Sequence, residues 1–205
     1  MDEIDEILRM LNAHNYTGTL LIKSTLLPTY CATTNTLYPN LKIIHNPEFL
    51  SAKTAVADFE NQEHIVLGYT AQSKESTEEI KLFYEELFAY RQAPLIFSIT
   101  NSISAGLMKL ACNSFYATKI QFFTELYLLC EKMEIQFTEV KNLMLKNNWI
   151  HPQHTTVPGT DQSISFGGAC FPKDISAFAE FMNEMEVPNK VVRAVIDERN
   201  AMRNE

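Results

Sequence analysis

A chain of 205 residues with a formal net charge of −8 and 46% apolar residues is long enough to bury a substantial core, as one large or two small domains. The acidic balance argues against a general nucleic-acid binder, and without a run of 18 apolar residues no membrane span is expected. Any phosphate-bearing ligand would have to be held by locally placed cations and backbone N–H groups. The acidic start, Met1-Asp2-Glu3-Ile4-Asp5-Glu6, carries no secretory pattern, and Cys31, Cys112, Cys130 and Cys170 show no paired spacing. Reduced thiols in a cytoplasmic protein are therefore expected. His151 and His154 form the only close histidine pair; they have no cysteine or carboxylate partners at zinc spacing, so no metal is assigned.

In chain order, Ile4, Ile7, Leu8 and Leu11 predict an amphipathic helix over 2–13. Strands are predicted at Thr17–Lys23, Lys42–His45, His64–Leu67 and Leu95–Ser98. A helix over Ser76–Tyr90 is predicted to bury Ile80, Phe83, Leu87 and Phe88. Strands alternating with helices indicate a parallel α/β layer. From Ser102 to Met133 the pattern is one long helix with apolar residues around much of its circumference, which suits burial on several sides. Shorter helices follow at Thr138–Leu145, Asp174–Glu186 and Asn189–Asn204, with a loop through Trp149–Ser165. The expected division is an α/β domain over 1–101 and an all-helical domain over 102–205, joined by the long helix.

The most informative stretch is Ser165-Phe166-Gly167-Gly168-Ala169-Cys170-Phe171-Pro172-Lys173-Asp174. Adjacent glycines let the backbone pass close to a ligand, and Pro172 is preorganised for a first helical turn. Cys170 is thus expected at or just before a helix N-terminus, where orphan N–H groups and the helix dipole favour a thiolate. Asp174 lies one turn on. Elsewhere, Ser24 and Thr25 end the first strand, where α/β ligands bind. Pro47 directs Glu48 within Asn46-Pro47-Glu48-Phe49-Leu50, and Lys109 and Asn113 share a face of the long helix. No Gly-x-Gly-x-x-Gly turn occurs among the six glycines.

The ten-residue string resembles the catalytic-cysteine motif of the UDP-glucose/GDP-mannose dehydrogenase family, Gly-Gly-x-Cys-Phe-x-Lys-Asp, at every fixed position, and the UDP-glucose branch fits better than the mannose branch. The resemblance continues at Asn46–Leu50, matching Asn-Pro-Glu-Phe-Leu, and at Ala105–Asn113, similar to Ala-Glu-x-x-Lys-x-x-x-Asn with Gly106 in the glutamate position. Ser24 and Thr25 match the start of Ser-Thr-Val-Pro-x-Gly-Thr, though Thr29 replaces its glycine, and Ala52 stands where many members carry a second glutamate.

The resemblance implies a partial Rossmann-like dinucleotide-binding domain over 1–101 and a central catalytic and dimerisation domain over 102–205. It implies NAD, a nucleotide-sugar substrate (UDP-glucose before GDP-mannose) and a homodimer through helix 102–133, with neither nucleic acid nor membrane as partner. Cys170 becomes the nucleophile, Lys109 and Asn113 the oxyanion partners, and Asp174, Glu48 and Thr25 the groups that manage protons and water. Substrate contacts fall on Glu48, Phe49, Leu50, Lys109, Asn113, Phe166 and Gly167, and cofactor contacts on Ser24, Thr25, Cys170 and Lys173. Lacking the glycine turn, the chain is expected to be a truncated or split enzyme beginning in the second half of the dinucleotide domain. The rival expectation is a catalytically silent oligomerisation remnant.

Overall fold

In the computed structural model, which describes residues 2–51 and 53–203, the β-rich runs become one four-stranded sheet. Its strands are β1 (Thr19–Ile22), β2 (Lys42–His45), β3 (His64–Tyr69) and β4 (Ile96–Asn101), in the order β1-β2-β3-β4. The helices are α1 (Asp2–Ala13), α2 (Tyr30–Leu37), α3 (Ala55–Asn61), α4 (Ser76–Leu87), α5 (Ser102–Lys132), α6 (Phe137–Leu145), α7 (Phe171–Glu184) and α8 (Lys190–Met202). Two compact units, residues 1–109 and 110–205, divide within α5. Ala52, the expected site of a missing glutamate, and Asn204, the expected end of the last helix, lie outside the described residues.

The first unit is mixed α/β. β1 pairs parallel with β2 (Leu21 opposite Ile44), and β3 pairs parallel with β4 (Leu67 opposite Ile99). β2 and β3, however, run antiparallel, with His45 opposite Gly68. The sheet is thus mostly parallel, and only the β2–β3 pairing departs from the expected parallel α/β layer. A parallel connection needs a crossover, usually an amphipathic helix. α3, which joins β2 to β3, is seven residues long and sets only the half-buried Phe59 against the core, too little to serve as one.

Alternation along β2 sends neighbouring side chains to opposite faces. Ile43 joins a core with Leu8, Ile22, Leu26, Cys31 and Leu41, whereas Ile44 joins Ile65, Leu67, Ile80, Tyr84 and Phe88. On α4 the buried hydrophobic side chains are Ile80 and Tyr84, with Phe88 just beyond the helix, while Phe83 and Leu87 are 52% and 43% exposed. The predicted face is corrected at those two positions, because Tyr84 can bury its ring while its hydroxyl finds a partner. Gly68 admits the start of α5: a Cβ there would come within 2.5 Å of the Ala105 methyl.

The second unit is helical. Ala117, Phe166, Ile175 and Val195 form one core cluster, and Phe123, Cys130, Phe137 and Val157 another. α5 is 31 residues long, and its buried positions include the polar side chains Asn113, Ser114, Gln121 and Thr124. α7 begins at Phe171, three residues before the expected start, with Pro172 in its first turn. Among the described residues no helix is long and apolar enough to cross a membrane.

Candidate active site

In the first unit, the candidate residues other than Lys109, which lies on α5, are on loops that leave the ends of β1 and β2. Ser24 is exposed and Thr25 half-buried. The Ser24 carbonyl accepts from Nε2 of His45 at 3.2 Å. His45 is buried, and burial lowers its pKa below the usual histidine value; backbone hydrogen bonds at Ser24 and Ser102 oppose this, and the Lys109 charge adds to it.

Asn46 is the hub of the next loop. Its N–H donates to the Ile22 carbonyl at 2.8 Å, and its Nδ2 donates to the Val66 carbonyl at 2.8 Å. Its Oδ1 accepts from Lys23 Nζ at 3.1 Å and from the Tyr84 hydroxyl at 2.5 Å. One residue, through its backbone N–H and its side-chain amide, thus ties the loop to β1, β3 and α4. Glu48 accepts from the Leu50 N–H on Oε2, and its carbonyl accepts from Lys109 Nζ. The same ammonium lies 4.3 Å from the centroid of Phe49, within cation–π range. Lys109, expected as a ligand partner, therefore also holds the Asn-Pro-Glu-Phe-Leu loop. Lys23 was not singled out in the sequence. Burial lowers its pKa, and the Glu48 charge offsets part of that shift.

In the second unit, Cys170 is exposed and immediately precedes α7. Its backbone is already helical (φ −90°, ψ −57°), and its carbonyl accepts the Asp174 N–H at 2.9 Å. Cys170 and Asp174 are therefore one turn apart, as expected. Asp174 is only 1% exposed; Asn113 Nδ2 donates to its Oδ2 at 2.6 Å, and Lys173 Nζ to its Oδ1 at 2.6 Å. The structure thus gathers Asn113, Lys173 and Asp174 beside the turn that carries Cys170. Phe166 is buried and Gly167 half-buried in the preceding loop.

Two residues of that surround were missed in the sequence. Arg199 Nε donates to the Phe166 carbonyl at 3.1 Å, and Arg203 Nη1 to the Ser165 carbonyl at 3.2 Å. Their spacing of four on an otherwise apolar helix face was the available signal. His154, half-buried, lies against the rings of Tyr116 and Phe171 at centroid distances of 4.8 and 5.6 Å. Its pKa is lowered, chiefly by burial. Among the described residues no group of His, Cys, Asp or Glu is placed to hold a metal ion.

The sequence profile of the UDP-glucose/GDP-mannose dehydrogenase family, central domain, matches residues 103–201. The UDP-glucose 6-dehydrogenase of Rickettsia typhi is 31% identical over 211 residues, covering 95% of this chain and 43% of that protein. The corresponding protein of Rickettsia bellii is 35% identical over 184 residues, covering 86% and 39%. Among solved structures, a UDP-glucose dehydrogenase from the archaeon Pyrobaculum islandicum superposes with a TM-score of 0.75 at 25% identity, covering 95% of this chain and 44% of that one. The chain spans less than half the length of these relatives. The match over residues 103–201, which include Lys109, Asn113, Cys170 and Asp174, together with relatives aligned along most of the chain, identifies its kinship: the chain belongs to the UDP-glucose/GDP-mannose dehydrogenase family.

Proposed function

We propose that this chain takes part in the NAD-dependent oxidation of UDP-glucose to UDP-glucuronate, by two hydride transfers through a covalent cysteine intermediate. The observation that carries the reading is the exposed Cys170 set one helical turn before a buried Asp174 whose oxygens are taken by Asn113 and Lys173. An exposed thiol at a helix start is poised to act as a nucleophile.

In this account Glu48, acting through a water that Thr25 helps to position, takes the proton of the sugar's primary alcohol as it becomes an aldehyde. The Cys170 sulfur then bonds to the aldehyde carbon, and the oxygen that gains the electron pair is stabilised by Lys109 and Asn113. Its protonation gives a thiohemiacetal, and loss of the hydroxyl proton and of hydride from that carbon gives a thioester. Water breaks the C–S bond, releasing the carboxylate and returning the thiol. Asp174, through its hydrogen bond with Asn113, keeps that amide oriented and manages protons at the cysteine. Glu48, Phe49, Leu50, Phe166 and Gly167 hold the nucleotide sugar.

NAD, when bound, accepts the hydride of each oxidation. Ser24 and Thr25 of the first unit, and Cys170 and Lys173 of the second, are the residues assigned to its nicotinamide end; Ser24 and Cys170 are exposed. The pyrophosphate has no such match, because no glycine-rich turn is present to let a helix N-terminus approach it. A second reading is a catalytically silent oligomerisation module. Both readings share a homodimer through α5. There Phe115, Phe122 and Leu129 repeat every seven residues and are 63%, 57% and 54% exposed, an apolar stripe suited to a two-fold partner. Light scattering at micromolar concentration should give a dimer; a folded monomer would contradict it.

The test of function supplies the chain with a Gly-x-Gly-x-x-Gly dinucleotide unit and measures carboxylate formation from UDP-glucose and from GDP-mannose. UDP-glucuronate is the expected product. Turnover of GDP-mannose alone would move the substrate to the mannose branch, and a folded, inert protein would favour the silent module.

A further inference from the structure

Ser165, Gln162 and His154 have positive φ angles of 58°, 62° and 65°, and Gly168 one of 76°. Left-handed backbone at non-glycine residues persists only where surrounding contacts over-determine it. At Ser165 those contacts are many. Its N–H donates to Thr124 Oγ1 at 3.0 Å, and its hydroxyl donates to Gln121 Oε1 at 2.6 Å. Its carbonyl accepts from Arg203 Nη1 at 3.2 Å, and the next carbonyl, that of Phe166, accepts from Arg199 Nε at 3.1 Å. Arg203 also reaches Asp161 Oδ2 through Nη2 at 2.5 Å. Its guanidinium covers the chain so closely at Gly167 that a Cβ there would fall 2.6 Å from it. Both arginines are buried, at 5% and 8% exposure, and a buried guanidinium is retained only when its donors are matched.

We propose that Arg203, supported by Arg199, is a positioning residue. Its fork clamps Asp161 and Ser165 from the end of α8, and so fixes the Ser165–Ala169 turn that sets Cys170 at the start of α7. The clamp explains three features of the sequence together. Gly167 must lack a side chain to lie beneath the guanidinium; Ser165 must accept an unfavourable backbone angle; and Asp161, in the loop before the glycines, must be acidic. It also explains why arginine is used. One planar group donates in two directions at once, which a lysine ammonium on a flexible stem does not reproduce with the same fixed geometry. Asp161 is held below the usual carboxylate range by its hydrogen bond to Arg203 and by the Ser163 N–H, so the pair is ionised near neutrality.

The inference rests on Cys170 being the reactive thiol of the proposed reaction, and its test needs neither NAD nor sugar nucleotide. The rate of Cys170 alkylation by iodoacetamide is measured across pH on the full chain, with the modified peptide identified by mass spectrometry. Circular dichroism and thermal melting report the fold. Arg203→Lys keeps the charge and most of the stem, and is expected to alkylate about threefold more slowly, with a displaced pH midpoint, because a misplaced group loses rate steeply with distance. Arg203→Ala is expected to be slower still and to recover when ethylguanidinium is added. Arg193→Ala, which removes an exposed ion pair with Glu180, is the control and is expected at the parental rate.

A folded Arg203→Lys chain with the parental rate and pH midpoint would overturn the clamp, as would an equal slowing in Arg193→Ala. A slowed variant of a protein that proves inactive as a dehydrogenase would leave the clamp standing and remove the reaction instead.

Discussion

Asn46 in the first unit and Asp174 in the second are both buried side chains that anchor a candidate loop, yet they do it with different chemistry. Asn46 is neutral and spreads its hydrogen bonds over Ile22, Val66, Lys23 and Tyr84. Asp174 draws one amide, from Asn113, and one ammonium, from Lys173. The loop after Asn46 is then held by Lys109, whereas the loop before Asp174 is held by Arg199 and Arg203. A neutral hub with several partners tolerates the loss of one, because the remaining bonds keep the amide satisfied. A carboxylate hub does so less readily, because a buried charge that loses one of two donors keeps an unmatched oxygen and its desolvation cost.

The sharpest way to break this comparison is Asn113→Ala. It leaves Asp174 Oδ2 without its amide donor and is expected to destabilise the second unit by about 2–3 kcal/mol, read as a lower midpoint in urea unfolding. An unchanged midpoint would show that Asp174 does not depend on Asn113.

The next effect belongs to the first unit and to pH. His45 titrates lower when folded than when unfolded, so the unfolded chain takes up the proton first as pH falls. The stability contributed by the neutral imidazole is complete above about 6.5 and declines below it. The slope is at most about 1.4 kcal/mol per pH unit for one proton. His45→Gln should flatten unfolding curves measured between neutral and mildly acidic pH. An identical slope in the variant would assign the effect elsewhere.

Tyr84→Phe tests the neutral hub. It removes one of two donors to Asn46 Oδ1 and should cost only about 1 kcal/mol, clearly less than Asn113→Ala by the same measurement. Smallest of all, Glu180→Ala removes a surface partner of Arg193 and should shift stability by no more than about 0.5 kcal/mol.

Much of this was legible in the sequence wherever the signal was local. β2 and α5 appear within one residue of their predicted bounds, and the Cys170-to-Asp174 turn follows from the position of Pro172. α2 and α3 were not seen. Tyr30–Leu37 is rich in threonine, and Ala55–Asn61 sets only half-buried Phe59 against the core, so neither carries an apolar period to detect. The antiparallel β2–β3 pairing was hidden for the same reason, because its connection contains that barely buried helix. The partners of the site were hidden by distance along the chain. Lys109 meets Glu48, and Asn113 meets Asp174, each across 61 positions, and Arg199 meets Phe166 across 33. Residue types can nominate such groups, but only tertiary packing says which pairs close.

The central claim is that the second unit carries the covalent chemistry at Cys170. Its most direct test is acid quenching of the completed enzyme during turnover of UDP-glucose, followed by peptide mass spectrometry, with Cys170→Ser run in parallel. The account predicts a sugar-nucleotide adduct on the Cys170 peptide of the parent and loss of carboxylate production in the variant. Full carboxylate production by Cys170→Ser, with no adduct on the parent peptide, would contradict it.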